Sequence, residues 1–189
     1  MSFLITTIDA AIDIDTVVID CLKIVEDFKS TQEANLTSPY SIVLTENPGF
    51  NEAAGALVLY KQIHNTQYFD RKNEASLLPV YAQTSLAQLV KQLPFPFSII
   101  RLSVLPPNTI ISMHTDAACH AQLAIETNED CFVCSREGEM KHVPVDGKLY
   151  IISTNTPHTA FNASSEERTH LSISIFDEDY VELLKNTRA

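Results

Sequence analysis

From Phe97 to Phe176 the chain is cut into apolar runs of five to nine residues: "FSIIRLSVL", "TIISMH", "AQLAIET", "CFVCS", "KHVPV", "GKLYIIS" and "RTHLSISIF", with "PPN" between the first two. Runs this short, rich in β-branched and aromatic residues and punctuated by Pro, Asn, Asp and Gly, read as strands. Strands at such close intervals predict an antiparallel barrel or sandwich.

The last run says most about what such a barrel would hold. In "RTHLSISI" Thr169, Leu171, Ile173 and Ile175 form one alternating set, and Arg168, His170, Ser172 and Ser174 the other. Alternate side chains of a strand point to opposite faces. One face is therefore apolar, and the other displays a guanidinium, an imidazole and two hydroxyls. That polar face lines a lumen or meets solvent; the strand alone leaves both open.

Ahead of the strands, "DTVVIDCLKIVEDFK" (15–29) places Val18, Cys21, Leu22, Val25 and Phe28 at helical spacing behind the cap candidates Asp15 and Thr16. "SPYSIVL" (38–44) and "GALVLYKQI" (55–63) read as strands around the turn "NPGF", and "SLAQLVKQL" (85–93) as a helix stopped by Pro94 and Pro96. A last helix is expected over 177–187. The predicted class is mainly β with a helical N-terminal layer: a double-stranded β-helix, the jelly-roll or cupin-like barrel. A length of 189 residues suits one core, so one domain is expected over 1–189. Residues 1–96 would form support and substrate-side elements, 97–176 the jelly-roll core and 177–189 a C-terminal helix.

Composition removes several function classes. The chain has 4 Gly and neither a GxGxxG nor a GxxxxGK[ST] pattern, so the common phosphate cradles are missing. A formal charge of −11 repels a phosphate backbone, which argues against nucleic acid. The N-terminus lacks the pattern of a signal peptide and no stretch is long and apolar enough for a bilayer, so no membrane partner and a cytoplasmic location are expected. Cys21, Cys119, Cys131 and Cys134 are then expected as reduced thiols.

The chemistry sits in "ISMHTDAACHAQLAIETN" (111–128). His114 and Asp116, two apart on an extended segment, share a face, so one metal ion can take a nitrogen and an oxygen from it. His158, in "NTPHTAFN", is the best third ligand. Two histidines and a carboxylate holding one side of an ion, with the other positions open, is the arrangement of non-haem iron(II) oxygenases. The pair alone is a weak signal, equally a surface hydrogen bond; with His158, and Arg168 ten residues beyond it, the pattern is strong.

On these residues a family resemblance rests. The stretches "RLSVLPPNTIISMHTD", "LAIETNEDCFV" and "GKLYIISTNTPHTAFNASSEER" resemble the aspartyl/asparaginyl β-hydroxylase-like group of 2-oxoglutarate- and iron(II)-dependent oxygenases, which includes free-proline hydroxylases. The resemblance implies a jelly-roll with iron(II) on His114, Asp116 and His158, and 2-oxoglutarate as cosubstrate with O2. It implies that Arg168 grips the distal carboxylate of 2-oxoglutarate with Ser103 beside it, as an arginine fork meets a carboxylate in two charge-assisted bonds. The reaction implied is hydroxylation of a C–H with release of succinate and CO2. Where the family often has Arg-x-His after the His-x-Asp turn, this chain has His120-Ala121-Gln122, and it has Ala124 where many relatives have proline. His120 and Gln122 would stand where the cosubstrate's metal-proximal carboxylate is held.

The expected function is hydroxylation of a free amino acid or small peptide. Its alternatives are hydroxylation of Asp or Asn side chains in an intact protein, or a metal-binding jelly-roll without catalysis. Plainer readings stand beside several residues. Cys131-x-x-Cys134 has no second such pair and reads as packing. His170 either braces the residues around the metal site or only fills the lumen, and Arg101 reads as structural more readily than as substrate-binding. His64 and His142 have no partner pattern. Substrate specificity is expected around "HNTQYFDRKNEA" (64–75).

Overall fold

The computed structural model describes residues 3–9, 13–31, 36–46, 57–59, 75–176, 179 and 185. Its elements in chain order are β1 (Leu4–Asp9), α1 (Ile14–Thr31), β2 (Tyr40–Val43), β3 (Thr45–Glu46), β4 (Leu57–Leu59), β5 (Ser76–Leu77), a 3-10 turn (Pro79–Tyr81) and α2 (Ser85–Gln92). There follow β6 (Phe97–Leu105), β7 (Thr109–Ile110), β8 (Cys119–Glu126), β9 (Cys131–Ser135), β10 (Met140–Lys141), β11 (Lys148–Ile152), β12 (His158–Asn162) and β13 (Arg168–Ile175). The expected turn 47–50, most of the strand 55–63, nearly all of 64–75 and the expected C-terminal helix lie outside the described residues.

Two antiparallel sheets make the jelly-roll. The larger runs β1-β11-β8-β13-β6-β2-β4, the smaller β10-β9-β12-β7, and β3-β5 is a separate short pair. At the centre of the larger sheet β13 pairs with β6 (His170 opposite Ser103, Ser172 opposite Arg101) and with β8 (Ser172 opposite Gln122, Ser174 opposite His120). This register stacks the polar residues of three strands on one face.

The alternation within β13 now has a direction. Leu171, Ile173 and Ile175 pack into a core with Val17, Cys21 and Val25 of α1 and Leu86 and Leu89 of α2. Full burial of each such aliphatic side chain contributes roughly 1.5–3 kcal/mol. Arg168, His170 and Ser172 face inward, toward the smaller sheet, and all three are buried. The polar face lines a lumen and does not meet solvent. A second apolar cluster, including Leu105, Ile111, Ala124, Val133, Ile152 and Ala160, fills the rest of the space between the sheets.

The helices are fixed by carboxylates. Asp13 accepts bonds from the Thr16 backbone N–H (3.4 Å) and hydroxyl (2.6 Å), so it serves the cap role expected of Asp15 and Thr16. Asp20, on α1, accepts from the Ser85 N–H (2.7 Å) and hydroxyl (2.6 Å), which ties α1 to the start of α2. Among the described residues no helix is long and apolar enough to cross a membrane.

Several expected strands are shorter, and four lie outside the expected ones: β1, the short pair β3 and β5, and β12. "KHVPV" is a strand over Met140–Lys141 alone, since Pro144 brings no N–H to a ladder. "TIISMH" is a strand only at Thr109–Ile110. Beyond it Ile111 N–H still reaches Ala160 O (2.9 Å), and His114 and His158 exchange both backbone bonds (2.9 and 2.8 Å). Three steps on one side thus oppose two on the other: a bulge. β12 went unread because Asn155, Thr156 and Pro157 make its approach look like a turn. β1, acid-interrupted, is stabilised as a strand by pairing with β11.

Candidate active site

The bulge after β7 aims His114, and the isolated bridge to His158 brings the two rings together, with centroids 4.3 Å apart. Asp116 follows on the same turn, its N–H held by Thr154 O at 2.9 Å. His114 Nε2 stands 3.7 Å from Asp116 Oδ1, and His158 Nε2 stands 3.5 Å from Asp116 Oδ2. Donors bound to one ion at about 2.1 Å stand roughly 3–4 Å apart. These three residues are the His/Cys/Asp/Glu group with metal-ligating spacing among the described residues.

Both imidazoles are set in the same way. His114 Nδ1 lies 2.8 Å from Ser112 O, and His158 Nδ1 lies 2.9 Å from Thr156 O. A carbonyl cannot donate, so each ring donates its Nδ1–H and turns an Nε2 lone pair toward Asp116. Such an outer hydrogen bond fixes the tautomer and raises the basicity of a ligating nitrogen.

Electrostatics favour the ligand forms. Burial works to raise the Asp116 pKa, but His120, Arg101, His158 and His114 together outweigh it and hold the carboxyl below its usual value. Burial lowers the His158 pKa against the pull of Asp116 and the Thr156 carbonyl. An ionised carboxylate and a neutral imidazole are the species a divalent ion binds. Two imidazoles and one carboxylate fit iron(II).

The triad opens into a cavity between the two sheets whose free space, with the open solvent at its mouth, is about 430 Å³. Ser103, Arg168, His170, His120 and Gln122 line it from the larger sheet, with Arg101 and Ser172; Ile111, Val133 and Ala160 form the opposite, apolar wall. Every sequence-predicted site residue is thus brought to one cavity. The His114 and Asp116 side chains are about a quarter exposed (24% and 23%), whereas His158 (4%), Arg168 (3%) and His170 (2%) are buried, so the cavity opens beside His114 and Asp116 and closes around the arginine.

At the closed end Arg168 Nη2 donates to His170 Nδ1 (2.8 Å), and Gln122 approaches the same nitrogen (3.1 Å). Burial pushes the His170 pKa well down, and the charge of Arg168 adds to this. Ser103 Oγ meets Ser41 Oγ at 3.3 Å. Nearer the mouth burial brings His120 down to about 3, partly opposed by Asp116. A protein of net charge −11 thus encloses two guanidiniums here.

Arg101 and His170 also line the cavity, as parity predicts: Arg101 shares a face with Ser103, and His170 with Arg168. The thiols stand apart from the cavity lining. All four cysteines are free and buried, and Cys131 and Cys134, three apart on β9, face opposite sides. His142 donates from Nδ1 to the Cys131 carbonyl (3.0 Å).

Fold and site define a jelly-roll with a two-histidine, one-carboxylate centre. The sequence profile of the Aspartyl/Asparaginyl beta-hydroxylase family matches residues 54–178. The chain belongs to this family of 2-oxoglutarate- and iron(II)-dependent oxygenases and is an enzyme of hydroxylase type, with iron(II) as its cofactor and 2-oxoglutarate and O2 as cosubstrates. Among solved structures it is similar to a Pseudomonas putida prolyl-4-hydroxylase, at 15% identity over 90% of this chain and 91% of that one, with a TM-score of 0.47. It is also similar to the viral collagen prolyl hydroxylase of Paramecium Bursaria Chlorella virus-1 (10% identity, 92% and 96% covered, TM-score 0.44). A 2OG-Fe(II) oxygenase family protein of Burkholderia pseudomallei follows (12% identity, 81% and 76% covered, TM-score 0.44). No curated protein sequence matches the chain.

Proposed function

We propose that the protein hydroxylates a C–H of a free amino acid or small peptide, with His114, Asp116 and His158 holding iron(II) and the buried end of the cavity holding 2-oxoglutarate. The observation that carries this reading is one cavity with a buried guanidinium at its closed end and a metal-binding triad whose His114 and Asp116 reach its mouth. Arg168 and Ser103 receive the distal carboxylate, and Gln122 and His170 flank its path. The metal-proximal end then lies near His120 and Asp116. The metal-proximal carboxylate of 2-oxoglutarate reaches the triad from the buried side, and an incoming substrate meets it from the mouth.

Iron(II) supplies the oxygen chemistry when bound; the chain's residues bind, orient and exclude water. Arg168 neutralises a carboxylate where burial would otherwise oppose its charge. Ile111, Val133 and Ala160 form a wall that offers water no hydrogen bond. Unbridged cysteines support residence in the cytoplasm, and the core shared by α1, α2 and the larger sheet supports a single domain.

The experiment is a screen of free amino acids and short peptides with iron(II) and 2-oxoglutarate. Succinate should form together with a product one oxygen atom heavier, for a free amino acid or short peptide. Turnover confined to an intact protein would refute the substrate class.

A further inference from the structure

Arg101 lines the same cavity. It stands on β6, and its Nη2 lies 3.3 Å from His120 Nε2. A guanidinium has donors and no acceptor, whereas a neutral imidazole has one of each. The ring must therefore accept at Nε2, which puts its hydrogen on Nδ1. On that side His120 Nδ1 faces Ser172 Oγ at 3.4 Å and Asp116 Oδ2 at 3.4 Å. The opposite tautomer would set ring N–H against guanidinium N–H, and a ring lone pair against a carboxylate oxygen. Both contacts would repel. His120 is 4% exposed, so water cannot relieve either one.

We infer that Arg101 is a positioning residue for the metal-binding carboxylate: it locks His120 as the Nδ1–H tautomer, whose N–H stands within 3.4 Å of both Ser172 Oγ and Asp116 Oδ2 and steadies the carboxylate by charge–dipole attraction. The inference rests on the reading of His114, Asp116 and His158 as the iron site. It also gives the His120-Ala121-Gln122 departure a physical sense. An imidazole at 120 serves the carboxylate ligand, and the arginine that orients it comes from the neighbouring strand.

Two measurements test it. Long-range proton–nitrogen NMR correlation reads the ring nitrogens of metal-free protein, and manganese(II) titration reads the metal site without turnover. Wild type should show His120 as Nδ1–H. Arg101→Met should lose that preference and bind manganese roughly 10- to 100-fold more weakly, the usual effect of losing an outer-shell partner. Arg101→Lys, also donor-only, should keep the tautomer and most of the affinity. An Nε2–H ring in the wild type overturns the inference by itself, whether or not the variants fold. So does an Arg101→Met protein with wild-type manganese affinity, provided His158→Ala has lost it. If His158→Ala binds manganese as wild type does, the metal-site reading falls and takes the inference with it.

Discussion

Replacing Arg168 by methionine keeps most of the side chain's volume and removes its fork. Arg168 is 3% exposed and already braced by His170 at 2.8 Å, so no water can take its place against a ligand carboxylate. A hydrogen bond to a charged group contributes about 1.5–3 kcal/mol, and truncating one partner of a buried charge pair costs about 2–5 kcal/mol. A two-bond fork is thus worth about 3–4 kcal/mol, a roughly 100- to 1000-fold rise in the Kd for 2-oxoglutarate. Arg168→Lys keeps charge but loses planarity and should fall between. The assay is calorimetric titration of manganese(II)-loaded protein with 2-oxoglutarate, preceded by titration of the metal itself. Metal affinity should be unchanged, because Arg168 lies at the far end of the cavity from the triad. Wild-type 2-oxoglutarate affinity in Arg168→Met would refute the assignment of the closed end to the cosubstrate.

His114→Ala, Asp116→Ala and His158→Ala should each abolish manganese(II) binding by titration while leaving the far-ultraviolet circular dichroism unchanged; retained binding in any of them would remove that residue from the ligand set. Ile173→Ala, on the helix-facing side of β13, should cost about 2–5 kcal/mol in urea unfolding and leave metal affinity intact, whereas Ser172→Ala on the lumen side should cost far less. Acid should weaken the metal-free fold. His120 and His170 have folded pKa values well below their ordinary 6.5, so below that pH the unfolded chain binds protons the folded one does not, and stability falls with pH. Each group contributes up to about 1.4 kcal/mol per pH unit, so urea midpoints should drop between pH 6.5 and 5.5; flat midpoints would show that these rings are not held neutral.

Much of this architecture was legible because period-two alternation survives in β6 and β13. Once "RTHLSISI" is a strand, its apolar set must find a core, and α1 and α2 provide it with residues of helical period. Parity also placed Arg168 with His170, and Arg101 with Ser103. It names a face and says nothing of depth, so whether that face met solvent or a lumen waited on the smaller sheet. What escaped the sequence was local. The bulge between Ile111 and His114 adds a residue without a Gly or Pro to mark it. β12 hides behind Asn155, Thr156 and Pro157, and the helix cap moved from Asp15 to Asp13 because the carboxylate two residues earlier reaches Thr16. The contact from Arg101 to His120 crosses from β6 to β8 over β13, a relation no single strand displays.

The central claim is that one cavity holds iron on His114, Asp116 and His158 and takes 2-oxoglutarate at the same centre. Anaerobic titration of the iron(II)-loaded protein with 2-oxoglutarate tests it most directly, through the weak visible charge-transfer band of the chelate. The band should appear in wild type and vanish in His158→Ala. Iron that binds without giving a band, or a band that survives in His158→Ala, would contradict the claim.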